Sequence, residues 1–325
     1  MSNLDEDPTE VTCAAGAGGV VVLGPRDVPL GGPRAMTVRR TLPSRQRSLI
    51  GAWCFVDHYG PDPVAGPGGT GGMSVAPHPH TGLHTVIWLF TGEIVHRDSA
   101  GHHAVVRPGE LNLMTAGRGI SHSEVSTPDT DVLHGAQLWV ALPERDRLAD
   151  PAFSHYAPQA VRGDGVEARV FLGTLLGDTS PVATSTPLLG AEVLLEPGTR
   201  VDLAVDPAYE HGVLLDTGAA TVGGASAAAH DLVYLPPGHD SLTLVAAEQP
   251  VRLLLLGGPP FGESIVMWWN FVGRSHEDVV AARQRWQAQL TPDGYVEGHF
   301  GRPVGETLPP IPAPALPGVR LRERR

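Results

Sequence analysis

The 325-residue chain is predicted to be all-β: two sandwich- or barrel-like modules with one helix near the C-terminus. Three observations predict this. Forty glycines and 31 prolines cut the apolar sequence into short runs bounded by turns, a punctuation that suits strands and defeats long helices. Two segments look alike, FTGEIVHRDSAGHHAVVRPGELNL and DTGAATVGGASAAAHDLVYLPPGHDSL. Each has Thr-Gly at a hairpin, a turn-rich middle and Pro-Gly before another strand, as two copies of one β unit would. Only SHEDVVAARQRWQAQL has convincing helical spacing.

In chain order, residues 1–18 are acidic, then Gly/Ala-rich, and read as a flexible start. Gly19 to Leu23 reads as the first strand, Met36 to Leu42 as the second, and Leu49 to Pro61 as a buried strand ending in a turn. Pro61 to Gly72 is loop by composition. Strands then follow at His78–His80, His84–Phe90, Glu93–Asp98, His103–Arg107, Leu111–Thr115, Ile120–Val125 and Gly135–Leu142, at the spacing of a small antiparallel barrel. The polar stretch Pro143 to Phe153 marks the boundary. The modules are therefore expected at 19–145 and 160–300.

The second module should hold strands near Ala168–Leu172, Ala191–Leu195, Val213–Leu215, Leu232–Leu235, Leu242–Val245 and Val251–Leu256. Ser275 can cap the helix, with Asp278 as the reciprocal carboxylate. Val279, Ala282, Arg283, Trp286 and Leu290 give it a stripe. The Pro-rich tail, 301–325, is expected to be extended or disordered.

Charge and composition exclude several functions. The net charge of −12 suits a nucleic-acid backbone poorly. Every one of the 23 basic residues is Arg, so neither a Schiff-base lysine nor a phosphate-loop lysine is available. With Ala, Gly, Pro and Arg all plentiful, a high-GC bacterial source is expected. Two cysteines are too few for a disulfide framework. No signal peptide or membrane-length apolar run is seen, so a cytoplasmic protein is expected.

Chemistry concentrates in two short stretches, His78-Pro79-His80 and His122-Ser123-Glu124. Each is an i, i+2 pair, so on a strand both members point to one face. Facing strands would bring three imidazoles and one carboxylate together. Such a set suits Fe(II), Mn, Zn, Ni or Cu. A closed structural zinc site would rely on cysteine. Four ligands on a metal that prefers six leave two open positions, which favours iron. Asp57, His84 and Gln137 are candidates to orient the imidazoles. His84 shares the parity of His78 and His80, with Gly82 interposed, and is expected to line the pocket or support it. His102 and His103 read as an exposed turn. His58 and His96 read as strand-packing residues, with the pocket mouth as the alternative, and Cys54 as a buried apolar one.

The segments HPHTGLHTV, TGEIVHRDS, RPGELNLMTAGRGISHSE and LHGAQLWVALP resemble the pirin family of the cupin superfamily. FVDHYGP upstream and GGPPFGESIVMWWNFVGRS near the C-terminus extend the likeness over most of residues 20–290. The resemblance implies a bicupin with metal, iron by family expectation, in the first module only. By position its ligands are His78, His80, His122 and Glu124. The second module has Ala204, Val205 and Asp206 at the corresponding offset, without an imidazole. The general cupin pattern has a glutamate where His84 stands; in pirin-like proteins the carboxylate comes from the later strand, here Glu124.

Two functions follow from the resemblance. One is a quercetin 2,3-dioxygenase-type oxygenase acting on a flavonol-like or other small aromatic substrate, with Glu124 as the catalytic base. The other is a non-catalytic, metal- or redox-dependent regulator that binds a metabolic enzyme or transcription factor. Direct nucleic-acid and membrane binding are not expected, and a monomer is.

Overall fold

The computed structural model describes residues 19–30, 36–64, 73–291, 294–295 and 297–325. The expected flexible start, 1–18, and most of the 61–72 loop lie outside them. The first strands are β1 (Val21–Leu23), β2 (Arg26–Leu30), β3 (Met36–Leu42), β4 (Trp53–Pro63), β5 (Ser74–His80) and β6 (Leu83–Thr91). Next come β7 (Ile94–Asp98), β8 (His103–Val106), β9 (Leu111–Thr115), β10 (Ile120–Ser126), β11 (Val132–Ala141) and β12 (Ala152–Tyr156). The second half has β13 (Ala160–Gly163), β14 (Val166–Leu172), the short pair β15 (Thr174–Leu175) and β16 (Asp178–Thr179), β17 (Leu189–Leu195) and β18 (Arg200–Ala204). It continues through β19 (Glu210–Thr217), β20 (Ala219–Val222), β21 (Ala225–Ala228), β22 (Leu232–Leu235), β23 (Ser241–Ala246), β24 (Val251–Gly258), β25 (Val266–Trp268), β26 (Phe271–Gly273) and the helix α1 (His276–Gln289).

Each module pairs a seven-stranded sheet with a four-stranded one. The first has the order β12-β9-β6-β11-β4-β3-β2 against β5-β10-β7-β8; the second has β1-β22-β19-β24-β17-β14-β13 against β18-β23-β20-β21. The two orders correspond strand for strand, as the sequence repeat implies. The large sheets are buried on both faces. Trp88, Leu113 and Leu138 of the first meet Phe171, Leu214 and Leu254 of the second in one apolar cluster between the modules. That is why Val251 to Leu256 reads as an almost unbroken apolar run, without the alternation of a half-solvated strand.

Matching registers show what replaces the two motif pairs in the second module. His122 lies opposite His78, and Ile120 opposite His80. The equivalent ladder sets Leu242 opposite Leu203, and the Val205 N–H bonds the Asp240 carbonyl one step on. Leu203, Val205, Leu242 and Leu244 thus stand where His78, His80, His122 and Glu124 do, one residue from the offset expected. Leu203, Leu242 and Leu244 are core residues there.

Three features differ from expectation. β1, counted with the first module from sequence, pairs with β22 of the second, Val22 opposite Val233. Reciprocally, β12 runs beyond the expected boundary and pairs with β9 of the first, Ser154 opposite Leu113. The helix has the expected capping box, but the Pro-rich tail after it, almost without regular secondary structure, is docked. Ala313 and Leu321 are buried in the cluster around Trp286 and Phe300. The Ile311 N–H donates to the Pro77 carbonyl beside the first motif. Composition described the tail's backbone but not the apolar surface it covers.

Candidate metal centre

Strand alternation brings His78, His80 and His122 together, while Glu124 falls in an adjoining group with His96 and His122. His78 and His80 share the inner face of β5, and His122 faces them from β10, all three fully buried. Their ring centroids are 4.3 Å (His78–His122), 4.9 Å (His80–His122) and 5.0 Å (His78–His80) apart. A register shift between His122 and Glu124 kinks β10, as a β-bulge does, and so re-aims the buried Glu124.

The tautomers follow from the partners. His78 Nδ1–H donates to the Ala76 carbonyl at 2.8 Å, and His80 Nδ1–H to the Asn270 carbonyl at 3.2 Å. The Nε2 atoms of His78, His80 and His122 are buried without a hydrogen bond. Burial pushes His78 down to about 4, and burial with neighbouring imidazoles pushes His80 and His122 well below the usual range. Neutral imidazoles with inward lone pairs are the form a metal requires. The ligand atoms of His78, His80 and His122 lie within 4.8 Å of one another, and so do those of His96, His122 and Glu124. His122 is common to both groups. An unmet buried nitrogen costs about 1–3 kcal/mol, and a cation among these three would relieve it.

The side chains expected to orient the imidazoles do something else. Asp57 is held by Arg40 through two bonds of 2.7 and 2.8 Å. Gln137 is buried between its Cα partners Asp57 and Ile87. His84 is in neither group of converging ligand atoms. Gly82 takes φ +68°, its carbon packed against the Val272 carbonyl, so parity does not carry across it. His84 faces Thr115, whose hydroxyl lies 2.9 Å from its Nδ1, and burial pushes it down to about 4. The observed orienting groups are the Ala76 and Asn270 carbonyls and His96.

Sequence reading set His96 aside as packing. It is fully enclosed, its Nδ1 3.4 Å from His122 Nδ1 and its Nε2 3.3 Å from Asp98. The usable signal was parity: His96 and Asp98 form a third i, i+2 pair. His102, expected to be exposed, is half-buried against the Asp98 carboxylate. Cys54 is buried as expected, and burial pushes its thiol up to about 12, unlike a metal-binding thiolate.

A third group, His58, His134 and Asp216, lies between the modules. Its atoms satisfy one another. His58 and His134 each donate Nε2–H to Asp216 Oδ1, at 2.7 and 2.6 Å, and Arg39 donates to His58 Nδ1. With both Nε2 protons in use and two arginines adjacent, it is a hydrogen-bonded bridge rather than a cation cradle.

The Pirin family model matches residues 35–140, and that of the Pirin C-terminal cupin domain matches 190–291. A Pseudomonas aeruginosa protein named putative quercetin 2,3-dioxygenase is 44% identical over 90% of this chain and 89% of its own length. The chain belongs to the pirin family. Its bicupin architecture agrees with the crystal structure of quercetin 2,3-dioxygenase from Acinetobacter baumannii, at 37% identity and a TM-score of 0.84, over 93% of this chain and 97% of that one. A bacterial pirin from Escherichia coli, crystallised with nickel(II), shares the fold at 18% identity and a TM-score of 0.58, over 74% of this chain and all of that one. Among the described residues of this pirin, no helix is long and apolar enough to cross a membrane.

Proposed function

We propose that this pirin binds iron through His78, His80, His122 and Glu124, and acts as a quercetin 2,3-dioxygenase-type oxygenase on flavonol-like substrates. One observation carries the reading: three neutral, buried Nε2 atoms converge, and the buried carboxylate of Glu124 lies in an adjoining group that shares His122. The two relatives of that name, at 44% and 37% identity, support the reaction class.

Iron bound there would supply Lewis acidity and one-electron chemistry toward dioxygen. The chain supplies the rest. The Ala76 and Asn270 carbonyls fix two imidazoles, so no ligand must reorganise. Glu124 shares the strand face of His122 and takes the proton of the substrate's enolic hydroxyl, which must come within hydrogen-bond reach. Leu83, Met114, Ile120 and Trp139 form the apolar cluster alongside, suited to a flat aromatic substrate.

Iron-loaded protein should bleach flavonol absorbance under O2. Glu124→Gln should lower turnover by about 10²–10⁴-fold while the three imidazoles retain metal. Iron-loaded protein that leaves the flavonol untouched would overturn the oxygenase reading.

A further inference from the structure

The third i, i+2 pair lies on β7, directly across the ladder from the second motif. Asp98 is opposite His122, and His96 opposite Glu124. Asp98 is fixed from several sides. Its Oδ1 accepts from the N–H groups of Ala100 and His102, at 2.9 and 3.0 Å. His102 Nδ1 reaches its Oδ2 at 2.9 Å. A carboxylate so held is an acceptor only, so an imidazole facing it must donate.

The proton positions follow in sequence. His96 Nε2 carries hydrogen toward Asp98 Oδ2. A neutral imidazole has one N–H, so His96 Nδ1 is left as an acceptor. The atom it meets is His122 Nδ1, which must therefore donate. His122 Nε2 is then bare, and like the Nε2 atoms of His78 and His80 it has no hydrogen bond. Glu124 Oε1, at 3.6 Å from His122 Nδ1, is beyond hydrogen-bond length and does not set this tautomer.

We propose that Asp98 and His96 are positioning residues which act in series to lock His122 in the Nδ1–H tautomer, holding its Nε2 lone pair toward the metal. The proposal rests on the metal reading above and assigns the third imidazole the fixing partner that backbone carbonyls give the other two. It differs in kind from theirs. A carbonyl can only accept, whereas His96 accepts only while Asp98 takes its other proton.

That difference supplies the test. Asp98→Asn keeps the volume, and its amide oxygen still accepts from Ala100 and His102. Its amide N–H₂ now faces His96 Nε2 and reverses every donor in the series, so His122 Nε2 carries hydrogen toward the metal. Cobalt(II) affinity, measured by competition with a chromophoric chelator, should fall about 10–100-fold. The cobalt absorption bands should shift as one nitrogen ligand is lost, while the metal-free melting temperature stays near wild type. His155→Ala removes an imidazole that faces Asn112 and touches no member of the series, and should bind cobalt as wild type does. If Asp98→Asn fails to fold, His96→Leu decides, since it leaves Asp98 its contacts to Ala100 and His102. Wild-type affinity and spectrum in the folded variant would overturn the proposal. Wild-type protein that binds no cobalt would instead overturn the metal reading.

Discussion

His58 donates its Nε2 proton to Asp216 across 2.7 Å, joining β4 of the first module to β19 of the second. The same carboxylate accepts from His134 and lies 3.4 Å from Arg252. Burial alone would raise Asp216, but its two imidazole partners hold it far below the usual carboxylate range. One side chain therefore satisfies two buried imidazoles and reaches a half-buried guanidinium at the boundary.

Removing it should be costly. Asp216→Ala strands two imidazoles in the interior, and should destabilise the protein by about 3–5 kcal/mol. Urea denaturation should show a lowered midpoint, with metal affinity unchanged because the bridge is separate from the metal centre. A loss under about 1 kcal/mol would mean that water replaces the carboxylate.

Acid should destabilise the fold through His84. Its pKa is about 4 in the native state, pushed down by burial, against 6.5 for the free side chain. The neutral form is the one folding favours, so this contribution is complete above about pH 6.5 and is lost as pH falls through 4. At pH 5 the expected loss is about 2 kcal/mol. Melting temperature against pH should be flatter between 6.5 and 4.5 in His84→Gln. Parallel curves would show that His84 does not titrate as its burial implies.

Metal stoichiometry should be about one per chain, because leucines and a valine fill the second module's equivalent positions. Elemental analysis checks this. His78→Ala should lose most of the metal, and full retention would disprove the ligand set.

Deleting the chain beyond Arg302 should weaken both modules' closing segment and the first motif. It uncovers the surface under Ala313 and Leu321, removes the Ile311–Pro77 bond, and strips Ser123 of its bond to Glu306. Each large apolar group exposed costs about 1.5–3 kcal/mol. The truncated protein should melt lower and bind metal less tightly. An unchanged melting curve would mean the tail contributes no net stability.

Fold and site were legible where the signal was local. Parity placed His78, His80 and His122 on facing strands, and turn residues marked most strands. Parity failed at His84 because one left-handed glycine intervenes, and it was not applied to His96 and Asp98, which repeat it. The Asp216 bridge and the docking of β1 on β22 join residues far apart in the chain. No local pattern encodes those pairings.

The exchange of β1 and β12 also bears on how the chain is made. Val21–Leu23 precedes every other strand of the first module in the chain, yet its partner Leu232–Leu235 lies deep in the second. The first module can complete its sheet once β12 appears, long before that. β1 must therefore wait, unpaired, while a whole module is translated. The finished protein is fastened by a strand that precedes one module in the chain and completes the sheet of the other.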